Sequence, residues 1–205
     1  DMAKFIRIFG TQDPDIHIDE LIKVLKINQL KARFNFDDTE NPDCWTHLHV
    51  ATEKSDPLIL IERYAITKEE SSVKDMAEIK ESIQVSKPIS AVKWLTKYLD
   101  KVKVIYTFQL LRAATDENNF KIIGSIRSAI WSRTGGILHA DNEGFSNEEG
   151  FHIHWEFPDD IAGEWNCAVR NLFGLWDKFT IDLGDETQRQ EFQSGKVPKK
   201  AKLIT

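Results

Sequence analysis

Hydrophobic and polar positions along the chain recur with two different periods, and the switches between them predict the elements. Lys4 to Phe9 mixes charged residues with β-branched and aromatic ones and stops at Gly10, the pattern of a half-buried first strand. From Asp15 to about Leu30, Ile18, Leu21, Ile22, Leu25 and Leu30 fall at helical spacing. Pro14 and Asp15 serve as start signals, and Asp19 and Glu20 sit where the helix dipole favours acids. Ala32 to Phe36 puts Phe34 and Phe36 opposite Arg33 and Asn35, a second strand; Asn41 and Pro42 turn the chain into a third, Trp45 to Ala51. Pro57 introduces a fourth, Leu58 to Tyr64. Lys68 to Lys101 is helical in two pieces, one striped by Val73, Met76, Ile79 and Ile83, the other by Val92, Leu95 and Leu99, with Pro88 in the first turn of the second.

A second round begins at Val102. Val102 to Leu111 has strand composition, and Phe120 to Ser132 is a helix through Ile122, Ile123, Ile126 and Ile130. Gly135 and Gly136 stop that helix. Ile137 to Ala140 is a short strand, Asp141 to Gly150 an acidic connection, and Phe151 to Phe157 a strand of strict alternation closed by Pro158. Ile161, Trp165, Ala168, Val169, Leu172 and Trp176 form a helical stripe capped by Asp159 or Asp160, although Gly163 and Gly174 count against it. Phe179 to Leu183 is the last strand. The order strand, helix, strand, strand, helix, strand over Val102 to Leu183 predicts an α+β fold of duplicated ferredoxin-like lobes, with antiparallel sheets and helices on one face. The lobes expected are 1–101 and 102–184, followed by a C-terminal helix or tail, 185–205.

Composition narrows the class. With 41% hydrophobic and 10% aromatic residues, 205 positions can fill a core, and no apolar run approaches the roughly 20 residues of a membrane-spanning helix. No signal-like segment opens the chain, Asp1 ahead of Met2 reads as an added residue, and Cys44 and Cys167 do not make a disulfide framework; a cytoplasmic location is expected. The net charge of −6 with scattered Lys and Arg argues against duplex nucleic acid as a partner. Lys196, Lys199, Lys200 and Lys202 around Pro198 read as a solvated, frayed tail.

The chemistry that stands out is in the histidines. Trp45-Thr46-His47-Leu48-His49-Val50 and Phe151-His152-Ile153-His154-Trp155 repeat one string, and they hold four of the six histidines. On a strand each pair projects from one face; in the second string Phe151, Ile153, Trp155 and Phe157 would face the core, turning His152, His154 and Glu156 away from the helices. Facing pairs suit a divalent metal, with Glu156, Asp141 or Glu143 adding oxygen ligands, or general acid–base work on a phosphoester. His47-Leu48 and His152-Ile153 resemble the opening of the motif of the two-histidine phosphoesterases: histidine, an apolar residue, then threonine or serine. The resemblance implies a bilobal α+β fold with His47 and His152 as catalytic residues in a central groove. His49 and His154 stand where that family has its hydroxyl residue, and with Glu156 they would act as binding groups.

Ordinary half-exposed strand histidines are the competing reading of the same strings, and His17 and His139 have no partner pattern. The loop Asp141 to Glu149 lacks calcium-site spacing, Ser128 and Ser132 lack an elbow context, and neither cysteine has evident activating charge. Six tryptophans fall on predicted elements, where most serve as core anchors. The first expectation is therefore a non-catalytic protein-interaction or accessory module of the inhibitor or immunity type. Its partner would be a protein, a second copy of the chain being one option, and it would carry no resident cofactor. The alternative is a phosphoesterase-like or metal-binding protein using His47, His49, His152 and His154.

Overall fold

A computed structural model describes residues 4–205; the expected added residue ahead of Met2 lies outside the described residues. The elements run β1 (Lys4–Gly10), α1 (Ile18–Ile27), β2 (Arg33–Asn35), β3 (His47–Ala51), β4 (Pro57–Ala65), α2 (Glu70–Ser82), α3 (Ile89–Tyr98), β5 (Val104–Leu110), α4 (Phe120–Thr134), β6 (Ile137–Ala140), β7 (Gly144–Ser146), β8 (Glu164–Arg170), β9 (Trp176–Asp182), α5 (Glu186–Gln193) and β10 (Lys202–Ile204). The fold is α+β with antiparallel sheets. Its contacts divide it into two units interleaved in sequence, 1–66 with 102–136 and 67–101 with 137–205, where consecutive lobes were expected.

Unit 1 is a sheet in the order β2-β3-β4-β5-β1 with α1 and α4 packed beside one another. Register explains its two faces. One set of cross-strand rows stacks Phe34, Val50, Ile59 and Leu110, then Leu48, Ile61, Phe108 and Ile6. Because side chains alternate across a strand, the rows between them hold Asn35, His49, Leu60 and Gln109, then His47, Glu62, Thr107 and Arg7. The first face is core, with Leu48, Ile59, Ile61 and Phe108 fully buried; the second is polar. Trp45 anchors the entry to β3, its indole donating to the Ile16 carbonyl at 2.7 Å and its ring edge-on to Tyr106. Gly136 marks the exit from α4: its φ is +92°, and a Cβ there would lie 1.9 Å from the Phe9 carbonyl oxygen.

Helix α1 ends as its sequence does not advertise. Leu30 N donates to Leu25 O and Gln29 N to Lys26 O, a Schellman closure in which Gln29 takes the left-handed position, φ +58°, usually given to glycine.

Unit 2 contains α2, α3, the β6–β7 hairpin and a sheet in the order β10-β9-β8, closed by α5. Here the structure corrects the sequence reading. Glu164–Arg170 and Trp176–Asp182 are strands, so the expected helix from Ile161 to Trp176 does not exist. The order after Val102 is strand, helix and then strands only up to α5. The stripe that looked helical is a strand alternation: Trp165, Cys167 and Val169 share one face with Phe179 and Ile181, and Gly163 and Gly174, at φ +102° and +73°, sit at the turns. Phe151 to Phe157 is not a strand either; it makes isolated bridges through His152 and Trp155. The lysine tail is ordered, with β10 paired to β9 and Lys202 Nζ 2.9 Å from Glu164.

Exchanging Gln29 for glycine relieves left-handed backbone strain and adds unfolded-state freedom, for a net gain of about 0.5 kcal/mol. The urea midpoint of Gln29→Gly should rise accordingly; a fall would contradict the closure described for α1.

Candidate functional site

The expected histidines occupy two different environments. His47 and His49 lie on the polar face of unit 1, both exposed, in the alternation anticipated for β3. Glu40 organises His47: its carboxylate accepts from Thr46 N at 2.9 Å, Thr46 Oγ1 at 2.7 Å and His47 N at 3.0 Å, and His47 Nδ1 lies 3.3 Å away. Those hydrogen bonds, from Thr46 first and His47 after it, hold the Glu40 carboxyl below its ordinary value. Glu62, the cross-strand neighbour, stands 3.9 Å from Nε2. His47 is thus an imidazole steadied by a carboxylate, as a general base would be. It lines neither the cleft between α1 and β2 nor the one between α1 and α4.

His152 and His154 belong to unit 2, and there the expectation of outward-facing side chains is wrong. Both are buried, at 2% and 0% exposure, as is Ile153 between them. The segment crosses the interior, so it has no solvent face to which alternate residues can turn. His152 bridges the backbone, its N donating to Asn166 O and its O accepting from Ala168 N, while its ring packs against Phe157, Trp165 and Phe192. Among the described residues the Nε2 atoms of His152 and His154 have no hydrogen-bond partner. Burial pushes the His152 imidazole down to about 3, with the neighbouring His154 adding to the effect. Burial likewise pushes His154 down to about 4, against the pull of Glu156. At neutral pH both rings are uncharged, so neither supplies the cation that would substitute for a phosphate-binding hydroxyl.

Glu156 has a partner that sequence reasoning missed. His139 Nε2 lies 2.8 Å from Glu156 Oε2, and His154 Nδ1 is 3.6 Å from Oε1. Burial alone would raise the Glu156 carboxyl; the hydrogen bond from His139 holds it below its ordinary value. His17 also pairs, with Asp43 at 2.9 Å. No group of three or more histidine, cysteine or acidic side chains is arranged to hold a metal ion among the described residues. Cys44 is exposed and Cys167 buried, both as free thiols, and burial pushes the Cys167 thiol far above its ordinary value, which makes it unreactive.

The most unusual surface of unit 2 is the tip of the β8–β9 hairpin. Leu172, Phe173 and Leu175 are 102%, 88% and 64% exposed. The turn beneath them is tightly tied. Asn171 Oδ1 accepts from Phe173 N at 2.9 Å and Leu175 N at 3.1 Å, Asn171 Nδ2 donates to Asp177 at 3.1 Å, and Asn171 N donates to Leu175 O at 2.9 Å. Gly174 supplies the left-handed residue the turn requires. Below the turn, Arg170 lies over the Trp176 ring, which meets Trp94 edge-on at 5.0 Å. The signal in the sequence was an asparagine three residues before a glycine, a turn mark overridden by the apparent helical stripe. Among the described residues no helix is long and apolar enough to cross a membrane.

The two neutral imidazoles make unit 2 acid-sensitive. Unfolded histidine takes up a proton near pH 6.5, whereas these rings resist until about pH 3 and 4. Stability is therefore full above about pH 6.5 and falls as the pH drops, by roughly 1.4 kcal/mol per pH unit for each ring. His152→Phe, which keeps the aromatic packing, should shallow the loss in urea midpoint between pH 7 and pH 5; an unchanged slope would contradict the burial of a neutral His152.

Comparison with protein-family models, with curated proteins and with solved structures finds no match.

Proposed function

We propose that the chain is a non-catalytic interaction module that presents the β8–β9 tip to an apolar pocket of a partner protein. The exposure of Leu172, Phe173 and Leu175 on a hydrogen-bonded turn carries this reading. Large apolar side chains held out in water carry a standing cost of about 2 kcal/mol each relative to burial. A turn that fixes their positions beforehand reduces the ordering cost of association. Aromatic and aliphatic anchors that fill a pocket are the usual centre of an interface. The reading needs no duplicated ferredoxin-like lobe and no groove shared by the two histidine strings. An inhibitor or accessory role is the functional class in which such a wedge is most useful.

A second reading, phosphoester chemistry at His47, is favoured only by the Glu40–His47 pairing. It would rest on His47 and its neighbours Glu62 and His49, since His152 and His154 are buried and uncharged. Turnover of a cyclic phosphodiester by the wild type and its loss in His47→Ala would establish it; a wild type without turnover ends it.

For the interaction reading, Phe173 replaced by a photo-crosslinking phenylalanine analogue should give one discrete adduct in lysate of the native cell. The same protein carrying Leu172→Ser and Leu175→Ser should give none, with its unfolding free energy in urea unchanged to within about 0.5 kcal/mol because both positions are exposed. Irradiation that yields only the uncrosslinked chain would sink the proposal.

A further inference from the structure

Unit 1 carries a separate feature, an open sheet edge beside an apolar slot. Among the described residues β2 stands at the end of the strand order and pairs with β3 alone. Among those residues the other edge of Arg33–Asn35 therefore carries no strand, and backbone groups on such an edge are a template for another chain. Next to it is a cleft of about 560 Å³ whose apolar surface comes from Ile22 and Leu25 of α1, Leu30 of the Schellman closure, and Phe34 of β2. Ile22 is 45% exposed there although it lies on the helix that covers the core. Phe34 pairs with Val50 and so shares the core face of the sheet, which puts the cleft on the helix side of the sheet plane.

The mouth of this slot is cationic in a chain whose net charge is −6. Lys26, Lys31 and Arg33 line it, with Glu53 the single acid among the lining residues. Lys31 is paired to Glu53 only loosely, at 3.7 Å with both side chains exposed. The Arg33 guanidinium donates to the neutral Ser55 hydroxyl at 2.8 Å, a contact that leaves its charge uncompensated.

We propose that this edge and slot bind an extended, acidic segment of a partner protein as a strand added to β2. Side chains alternate along a strand, so a segment laid on β2 sends every second residue toward the helix side, where an apolar one enters the slot beneath α1. Asp or Glu flanking that anchor meets these cations, one residue away on the face of Arg33 and two residues away on the helix side with Lys26. A fatty-acid-like amphiphile shares the apolar and anionic chemistry but makes no use of the sheet edge, and the edge decides for peptide. This surface lies on different residues, in a different unit, from the hairpin tip.

The test is selection of a random decapeptide display library on the whole chain. Its counter-targets are Ile22→Glu, at an exposed helix position, the pair Lys31→Glu with Arg33→Glu, and the hairpin triple variant Leu172→Ser, Phe173→Ser, Leu175→Ser. Recovered peptides should place Asp or Glu beside an apolar anchor. Resynthesised, they should bind the wild type and the hairpin variant equally. They should bind Ile22→Glu and the charge-reversed pair at least ten-fold more weakly, lose affinity with added salt, and slow amide exchange at Arg33–Asn35. The proposal is overturned if no peptide is enriched, if the peptides lack acidic residues, if they bind Ile22→Glu as well as wild type, or if sodium decanoate occupies the slot while the peptides do not. Peptides lost only in the hairpin variant would overturn it too and leave the tip reading standing; slot-dependent peptides without a Phe173 crosslink would do the reverse.

Discussion

Unit 2 depends on the antiparallel pairing of β8 with β9. The ladder from Glu164↔Asp182 to Arg170↔Trp176 fixes which side chains turn inward: Trp165, Cys167, Val169, Phe179 and Ile181. That surface is one wall of a core completed by Phe157, Leu183 and Phe192, with Trp155 and Ile161 packed against it. Arg189 of α5 then ties the loop before β8 to the helix, donating to the carbonyls of Asp159, Ile161 and Leu183 while its guanidinium lies over the Trp155 ring. A one-residue slip in this ladder would turn every one of the inward strand residues to the opposite face, so burial specifies the register strongly. The same register aligns Arg170 with Trp176 and so sets the length of the turn that exposes Leu172, Phe173 and Leu175.

The core built on that ladder also decides the fate of the paired histidines. His152 is held by two backbone hydrogen bonds to β8 and caged by aromatic rings, conditions in which a charged imidazole is strongly disfavoured. His154 is buried beside Phe145 and near Glu156. In unit 1 the equivalent string obeys a different constraint. β3 lies within a sheet with one core face and one polar face, and Leu48 and Val50 take the core, leaving His47 and His49 on the polar side. Two strings with the same alternation of histidines therefore do different physical work: one pair stands on a polar surface, with His47 steadied by Glu40, and the other is interior packing.

What the sequence made legible follows from where a single period was unopposed. α1 and α4 stand where the apolar spacing placed them, and β1, β3, β4 and β5 where β-branched runs were bounded by turn residues. The reading failed between Phe151 and Trp176, where both periods fit the same letters. Trp165, Ala168, Val169, Leu172 and Trp176 satisfy a helical stripe, yet Trp165, Cys167 and Val169 also satisfy a strand, and long-range pairing with Phe179 and Ile181 selected the strand. Leu172 completed the false stripe because an exposed leucine at a hairpin tip is indistinguishable by composition from a buried one. Phe151 to Phe157 alternates faithfully, but alternation reports two environments only when one of them is water, and His152, Ile153 and His154 are all buried. The His139–Glu156 contact spans 17 residues and depends on the fold around β6, so no local spacing could announce it. The interleaving of the two units was equally out of reach, since 67–101 joins 137–205 through pairings and packing that a pass along the chain does not see.

The functional account rests on stiffness as much as on exposure, because an apolar tip that is ordered before binding behaves as a wedge and one that is not behaves as a floppy loop. Backbone relaxation of the ¹⁵N-labelled chain measures this directly. The Asn171 hydrogen bonds imply order parameters at Leu172, Phe173 and Leu175 close to the roughly 0.85 of a rigid ladder. Values below about 0.6 at those three residues, with β8 and β9 rigid on either side, would contradict the account.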